Sequence, residues 1–503
     1  MSPGMKKRAA LAALGWFVSG AAAPQVLPPP PPTVIGINPS EIRYYSTTVP
    51  FANLVVGSGW MNSRWEPLPV EHRGPNGDVR SLPADNTAYR FLMFPPTGPA
   101  GFDVRCTFTG SGTLMVSGLA GPIQSGPHSL RFRLINERGK QPRPWLVLKD
   151  VNPARPMRDL DCRDVRLDAS ARFRPQFLAT VRGYGVIRFM DWQNANGNEA
   201  VPWVDRHTLA SIDLDRDGVA IEDMLALTRE LGADPWFVMP WNANGEYITS
   251  FARMVRDRLP AGRRVYVEVG NEIWNTGFPA GQQAVKEGME RKLGPDGHQA
   301  GMRQYAERTV EVMRLWEAAF TGRAGLVRVL STQHVWPETA EIALTYADTA
   351  KHVDALATAP YFGDIVGGTS STRESSLRLL MDSLMTTLKS ATDNRRIAMR
   401  FGKRYIAYEG GQGLVLPAQV DLANQLQHDP AMYDLYRRYI AEWRGQVGDV
   451  LCLFNSVFPP GSSGAWGLSA WEDEAPGEAP KLRAVREALR DTGRHDGTPD
   501  GAR

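Results

Sequence analysis

The chain has 503 residues, of which 43% are apolar and 22% charged, with a formal net charge of +3. This length exceeds one ordinary domain, and the composition is typical of a soluble globular protein with a large core. Because the net charge is small and no long lysine or arginine run occurs, a nucleic-acid partner is not expected.

The first residues have the three parts of a secretory signal. Lys6, Lys7 and Arg8 form a basic start, residues 9–18 are apolar, and the small residues of "SGAAA" follow. The apolar stretch is too short to span a bilayer comfortably, and no later segment is long enough. We therefore predict a signal peptide at 1–23 and a secreted or periplasmic protein without stable membrane insertion. A membrane-tethered N-terminus is the alternative.

Strand-like and helical patterns then alternate along the chain. Residues 33–38 predict a first strand and 50–58 a first helix. Further strands are predicted at 184–192, 233–241, 263–272, 325–336, 353–363, 404–412 and 449–457, with helices at 219–231, 246–258, 278–320, 373–391 and 430–446. Repeated strand–helix units predict a parallel sheet, and eight of them close a (β/α)8 TIM barrel, an α/β fold.

A helix-poor segment interrupts this series. Residues 66–167 are rich in glycine, proline and short alternating runs, which predict a small inserted antiparallel β-sandwich. The barrel would then comprise 24–65, with its first strand and helix, and 168–490. Residues 491–503 are predicted to be a disordered tail. Cys106 and Cys162 can pair if the protein is exported, whereas Cys452 is expected to be a packed thiol.

Polar residues end most of the predicted barrel strands. In such barrels, the catalytic residues lie at the carboxyl-terminal ends of the strands. The residues at these ends are Asn38, Arg188, Asp191, Trp192, Trp241, Asn242, Asn271, Glu272, Gln333, His334, Tyr361, Glu409 and Asn455.

Two carboxylates stand out in this set. Glu272 ends "VYVEVGNE" and Glu409 ends "YIAYE", each after a strongly β-forming run. Hydrolysis of a glycosidic bond needs one carboxylic acid to protonate the leaving oxygen and one carboxylate to attack carbon. At a separation of about 5–5.5 Å between the carboxyl groups, the reaction retains configuration through a covalent intermediate. We therefore predict that the two glutamates meet across one barrel mouth.

The motifs "GNEIWN" and "YEGG" resemble the two catalytic signatures of glycoside hydrolase clan A, the retaining (β/α)8 enzymes that include the family five cellulases. The combination "RFMDW…VDR…ADPWF…VYVEVGNEIWN" is also similar to a group of bacterial exported proteins whose names often mention cellulose binding. This likeness spans most of residues 33–475. The names of that group imply little about substrate, whereas the resemblance to clan A implies a β-linked poly- or oligosaccharide.

The resemblance implies roles for single residues. Glu272, on the fourth strand, corresponds to the acid/base, Glu409, on the seventh, to the nucleophile, and Asn271 to a donor to the sugar 2-hydroxyl. Arg188 and Tyr361 resemble the arginine of the second strand and the tyrosine of the sixth, and His334 resembles the clan's histidine only loosely. The chain departs from the pattern after the third strand, where Trp241 and Asn242 stand in "MPWNA" and a histidine is expected.

The remaining candidates have two interpretations each. Glu268 is the rival acid, but it lies two residues deeper and is better explained as a supporting polar group that reaches Arg188. Asp191 holds a sugar hydroxyl or caps a turn. The tryptophans stack on sugar or anchor loops by packing; they are Trp192, Trp241, Trp274 and Trp466, of which Trp466 is the preferred candidate for the floor of the central subsite.

Two other classes of function are alternatives to a glycosidase. The first is a non-catalytic carbohydrate-binding protein with a degenerate barrel, against which the presence of both glutamates counts. The second is a serine esterase or zinc enzyme, but no G-x-S-x-G or H-E-x-x-H motif occurs. The sequence predicts no cofactor and no metal site, and it does not predict the oligomeric state.

Overall fold

The computed structural model describes residues 27–491 except 75, 120, 141, 199, 323 and 364–370. The predicted signal peptide lies outside the described residues, as do residues 492–503 of the predicted tail. Within the described part of the chain, no helix is both long enough and apolar enough to cross a membrane.

Eight parallel strands close a barrel, which confirms the predicted fold class. Each strand pairs with its neighbours in chain order, and the first strand pairs with the eighth through Val34 and Val450. Gly36 is required at this seam, because a Cβ there would lie 2.4 Å from the sulfur of Cys452. From first to eighth, the barrel strands are Val34–Ile37, Val186–Arg188, Asp234–Met239, Val265–Val269, Leu326–Ser331, Ala355–Thr358, Arg404–Ala407 and Val450–Leu453.

Helices cover the outside of the barrel. Their apolar sides are buried against the strands, as in the helix after the second strand, where Ile221, Met224 and Leu225 are buried. The helices are Pro175–Val181, Ile221–Leu231, Gly245–Arg258, Pro279–Glu290, Gly297–Ala319, Glu338–Thr345, Arg373–Arg400, Val420–Gln427, Ala431–Gln446 and Pro480–Arg490. Short 3-10 turns occupy Val70–His72, Trp203–Asp205 and Thr349–Lys351.

The prediction of a helix at 50–58 is wrong, since this segment forms bends and turns. Its backbone bonds to distant residues: the amide of Leu54 donates to the Cys162 carbonyl, and the amide of Met93 donates to the Leu54 carbonyl. These contacts attach the segment to the insertion and prevent helical hydrogen bonding along it. The helix that follows the first strand is Pro175–Val181, on the far side of the insertion.

The insertion contains two antiparallel sheets. Cys106 and Cys162 face each other on adjacent strands of the larger sheet and form a disulfide. Whether the two sheets pack face to face as one sandwich stays a prediction. The three-stranded sheet has Ala88–Phe91, Trp145–Lys149 and Thr113–Ser117 side by side, and the four-stranded sheet has Gln124–Gly126, Ser129–Asn136, Gly98–Thr109 and Arg158–Asp164.

A short parallel pair extends the barrel beyond two strand ends. Tyr361–Phe362 follows the sixth strand and pairs with Gly411–Gln412, which follows the seventh. This pairing fixes the backbone on both sides of Glu409. The functional side chains described next lie at this end of the barrel.

Candidate active site

Arg188 joins the ends of four barrel strands. It is the last residue of the second strand, and its guanidinium is fully buried. Its nitrogens donate to Glu268 Oε1 at 2.7 Å and to Glu409 Oε1 at 2.6 Å. They also donate to Asn271 Oδ1 at 2.8 Å and to Asn38 Oδ1 at 3.1 Å. Although burial opposes the charge, the two glutamates raise the pKa of Arg188, so this cation persists at every working pH.

Glu409 has both carboxylate oxygens occupied. Oε1 accepts from Arg188, and Oε2 accepts from the Tyr361 hydroxyl at 2.8 Å. The residue is only 5% exposed, so the carboxylate is held rigidly at the barrel mouth. The carboxylate group thus faces the buried guanidinium of Arg188, and a carboxylate is the form of this side chain that can act as a nucleophile.

Glu272 has two neutral donors. Oε1 accepts from the Tyr408 hydroxyl at 3.0 Å, and Oε2 accepts from Asn275 Nδ2 at 3.0 Å. Burial, and after it the negative charge of Glu409, raises the pKa of Glu272 to about 7, against the opposing effect of these hydrogen bonds. At neutral pH a substantial fraction of Glu272 therefore carries a proton that it can donate.

The fourth strand does not deliver Glu272 directly. The strand ends at Val269, and Gly270 and Glu272 then adopt φ angles of +62° and +49°. A left-handed conformation is uncommon for a residue with a side chain and is concentrated at functional sites. This turn sets the direction of the Glu272 side chain.

Tyr408 connects the two glutamates and was not predicted. Its hydroxyl donates to Glu272, and its ring lies 4.9 Å from the guanidinium carbon of Arg188, which binds Glu409. Tyr408 immediately precedes Glu409 and packs inside the barrel with Ile406. The alternation of "YIAYE" was a usable signal, because it assigns residues 406 and 408 to one face.

Glu268 is a supporting residue. It is fully buried and accepts from Arg188 and from the Ser331 hydroxyl. Burial raises the pKa of Glu268, while the contacts with Arg188 and Ser331 oppose that effect. Both of its oxygens are committed inside the barrel, so it orients Arg188 and does not face a substrate.

A cavity of about 170 Å³ lies among the residues that follow the first and second barrel strands, and neither Glu272 nor Glu409 is among the residues that line it. Asp191, Asn196, Glu41 and Arg43 are among its lining residues. Asn196 Oδ1 accepts from Asn271 Nδ2 at 3.1 Å, which connects the cavity to the strand ends. Burial, followed by the charge of Glu409, raises the pKa of Asp191 to about 7. Asp191 therefore lies where it can meet a polar ligand.

Trp466 borders the site on the other side. Its ring centroid is 5.2 Å from that of Tyr361 and 5.9 Å from that of Phe454, and its Nε1 donates to the Ser463 carbonyl at 2.7 Å. The indole is half-buried. Its contact with Tyr361, the partner of Glu409, makes Trp466 a suitable stacking surface for a sugar ring.

Two predicted contacts are corrected. His334 is buried and its ring nitrogens bond Thr358 Oγ1 at 2.9 Å and the Thr387 carbonyl at 3.0 Å. Burial lowers the pKa of His334 to about 4, so it is a neutral core residue. Trp192 is 1% exposed and packs against Phe177 and other aromatic rings. Both ring nitrogens of His334 are thus occupied, and Trp192, although it borders the cavity of about 170 Å³, is too deeply buried to offer a stacking face.

Two further candidates are not linked to the two glutamates by a described contact. Trp241 is buried, and its carbonyl accepts from Arg308. Asn242 exchanges two hydrogen bonds with Gln283. Trp274 is half-buried, packs against the main core and contacts the side chain of Tyr408, the residue that donates to Glu272. Within the described residues, no group of three or more histidine, cysteine, aspartate or glutamate side chains has an arrangement suited to a metal ion.

No protein-family model matches the chain, and no curated protein matches it. Solved structures with a distant likeness include a GH51 arabinofuranosidase from Xanthomonas axonopodis pv. citri, at 14% identity and a TM-score of 0.38, covering 57% of this chain and 61% of that one. The chain thus spans about three fifths of that enzyme.

Two other solved structures show a similar likeness. An exo-beta-1,4-mannosidase from Opitutaceae bacterium strain TAV5 has 14% identity and a TM-score of 0.37, covering 62% of this chain and 55% of that one. An endo-1,4-beta-D-mannanase from Thermotoga petrophila RKU-1 has 12% identity and a TM-score of 0.33, covering 63% and 93%. At these TM-scores the likenesses say nothing about the substrate of this chain.

Proposed function

We propose that this chain is a retaining glycoside hydrolase that cleaves β-glycosidic bonds in a poly- or oligosaccharide, with Glu409 as nucleophile and Glu272 as acid/base. One observation supports the proposal: two glutamates lie just beyond the ends of the fourth and seventh strands, linked through Tyr408 and Arg188, in opposite environments. Glu409 is paired with the Arg188 cation, whereas the pKa of Glu272 is raised to about 7. Double displacement needs this asymmetry.

In the first half-reaction, a Glu409 oxygen attacks the anomeric carbon while Glu272 protonates the departing glycosidic oxygen. The bond to the leaving group breaks and a glycosyl ester forms on Glu409. Tyr361 and Arg188 hold the attacking carboxylate in position. Arg188 and Glu268 remain paired when the charge of Glu409 is lost, so the cation is not left unpaired.

In the second half-reaction, Glu272 acts as a base. Esterification removes the negative charge of Glu409, which is one cause of the raised pKa of Glu272. Glu272, which has already given its proton to the leaving group, therefore stays ionised and accepts a proton from water. The water oxygen bonds to the anomeric carbon as the bond from that carbon to Glu409 breaks. Configuration at the anomeric carbon is retained after two inversions.

Three further residues contact substrate in this proposal. Asn271 Nδ2 would exchange its bond with Asn196 for one with the sugar 2-hydroxyl. Trp466 offers a stacking face beside Tyr361, and Asp191 accepts hydroxyl groups within the cavity that it lines. The β-linkage and export to the periplasm or medium rest on the clan resemblance and on the signal-like residues 1–23.

The decisive experiment compares Glu409→Gly and Glu272→Gly on aryl β-glycosides, after a screen of aryl glycosides and β-glycans with the wild type. We expect Glu409→Gly to lose more than about 10⁴-fold in kcat, a loss typical of removing a member of a nucleophilic set. Azide should restore turnover by entering the vacated space and give a glycosyl azide of inverted configuration.

Glu272→Gly should behave differently. Acid catalysis contributes about 10²–10⁴-fold, so substrates with poor leaving groups should suffer most, and azide should give a product of retained configuration. Glu268→Gln serves as the control for a buried glutamate outside the reaction, and neither azide product should form with it. Full activity of either glycine variant would reject the role given to that glutamate.

A further inference from the structure

One face of the three-stranded insertion sheet is aromatic. Along Ala88–Phe91, Ala88 and Arg90 point to the buried side, while Tyr89 and Phe91 lie on the half-exposed side. Phe91 pairs directly with Trp145 on the neighbouring strand, so their side chains share that face. The two faces of the sheet thus differ sharply.

Two exposed rings lie on top of this face. Trp65 stacks on Phe91 at 5.3 Å and contacts the edge of Trp145 at 5.9 Å, yet it is 47% exposed. Tyr44 stacks on Phe91 at 4.4 Å and meets Tyr45, which is 49% exposed, at 5.2 Å. Because Phe91 covers one face of the Trp65 ring, the solvent-exposed part of Trp65 is largely the opposite face of the ring.

A tight turn presents Trp65 at its tip. Asn62 Oδ1 accepts from the amides of Arg64 and Glu66, and Trp65 between them has a φ of +61°. Residues other than glycine and asparagine rarely adopt this conformation. A glycine at 65 would adopt this conformation without strain. The chain has a tryptophan there although the conformation disfavours a side chain.

The rings continue the loop that lines the cavity beside Asp191. Glu41 and Arg43 line this cavity, and Tyr44 and Tyr45 follow them directly in the chain. This loop leaves the first barrel strand at the end where Glu272 and Glu409 lie. The aromatic rings and the cavity therefore share one loop at the catalytic end of the barrel.

We propose that Tyr44, Tyr45, Trp65, Phe91 and Trp145, here called the aromatic surface, bind the pyranose rings of a β-linked glycan away from the two catalytic glutamates. Pyranoses have apolar C–H faces that suit indole and phenol rings, and charged groups at the edge supply hydrogen bonds to hydroxyls. The exposed pair Arg64–Glu66, joined at 2.9 Å, and Arg143, which donates to the Tyr45 carbonyl, provide such groups. The choice of a glycan as ligand rests on the proposed function.

The test is native gel electrophoresis of the full chain through gels containing soluble β-glucan, β-mannan or β-xylan. Wild type is compared with Trp65→Gly, Tyr45→Ala, the double variant, and Leu379→Ala, which removes an exposed apolar side chain from an outer helix. We expect at least one glycan to retard the wild type. Each aromatic loss should weaken that retention about three- to tenfold, and Leu379→Ala should match the wild type.

Two further measurements separate binding from folding and catalysis. Glycine suits the backbone conformation at 65, so the thermal unfolding midpoint of Trp65→Gly should show that a loss of retention is not a loss of folding. Trp65→Phe keeps an aromatic ring and should restore part of the retention. The kcat/KM of the double variant on a small aryl glycoside should equal that of wild type, because such a substrate does not reach the aromatic surface.

Retention equal in wild type and the double variant, or no retention of wild type by any of the three glycans, would overturn the proposal. A dimer of wild type that Trp65→Gly converts to a monomer would also overturn it, since the rings would then form a contact between copies. Retention in the gel measures binding and does not require the glycan to be hydrolysed. A chain that is retained through these rings but cleaves nothing would contradict the proposed function and leave the aromatic surface standing.

Discussion

Glu272 and Glu409 differ in the charge of their partners. Each lies just beyond the end of a strand of the same barrel, and each carboxylate accepts two hydrogen bonds. Glu409 has an arginine as one donor, whereas among the described ion pairs none includes Glu272. Burial without a paired cation raises the pKa of Glu272 to about 7. One cation, and not the number of hydrogen bonds, therefore distinguishes the two carboxyl groups.

The largest expected effect comes from removing that cation. Arg188→Met leaves Glu268 and Glu409 as uncompensated buried acids, so the free energy of unfolding at pH 7 should fall by about 3–5 kcal/mol. Chemical denaturation measures this change. Arg138→Met is the matched control, because the ion pair of Arg138 with Asp473 is partly exposed, and it should cost about 1 kcal/mol or less. Equal losses in the two variants would contradict the role assigned to Arg188.

The second prediction concerns stability and pH. The pKa of Glu272 is about 7 in the folded chain against an ordinary value of 4.5. Between these values the unfolded chain releases the proton and the folded chain keeps it, so wild type loses stability as the pH rises from 4.5 to 7. Glu272→Gln should therefore gain up to about 3 kcal/mol over wild type above pH 7 and nothing below pH 4.5. A stability difference that does not vary with pH would refute this account of the raised pKa.

The third prediction tests Tyr361, the neutral donor to Glu409. Hydrogen bonds to charged groups contribute about 1.5–3 kcal/mol, so Tyr361→Phe should lower kcat about ten- to hundredfold. Because Glu409 and not Glu272 loses its donor, the basic limb of the pH profile of kcat/KM should stay in place. Steady-state kinetics across pH measures both quantities. A displaced basic limb would show that Tyr361 acts on Glu272, which would contradict its contact with Glu409.

The smallest effect is expected from Tyr408→Phe. The Tyr408 hydrogen bond lowers the pKa of Glu272, so its removal should raise that pKa. Activity that requires protonated Glu272 falls as pH rises through this pKa. The basic limb of kcat/KM should therefore move to higher pH by about one pH unit at most, while kcat near pH 6 changes little. A shift toward lower pH would contradict the proposed contact between the two residues.

The sequence predicted the barrel and its two glutamates because both depend on local patterns. Each buried parallel strand is a short apolar run, and each glutamate comes within three residues after such a run. The first helix was mispredicted, since the backbone of 50–58 bonds to the insertion, a contact that local periodicity does not contain. Tertiary hydrogen bonds replaced the helix there.

Side-chain direction beyond the strand ends was the least predictable part of the site. Counting by twos assigns Glu272 to the face of Glu268, yet two left-handed residues redirect the chain after Val269. His334 and Trp192 also end strands, but they turn toward the helical shell and are buried. Strand-end position therefore identified candidates, and only the three-dimensional turn separated site residues from core residues.

Covalent trapping tests the central claim most directly. The wild type is incubated with the 2-deoxy-2-fluoro analogue of whichever aryl glycoside it turns over, and the labelled peptide is mapped by mass spectrometry. We predict one glycosyl group, attached to Glu409, and none in Glu409→Gln. A label on Glu272 or Glu268, or turnover of the parent glycoside with the opposite anomer as first product, would contradict the account.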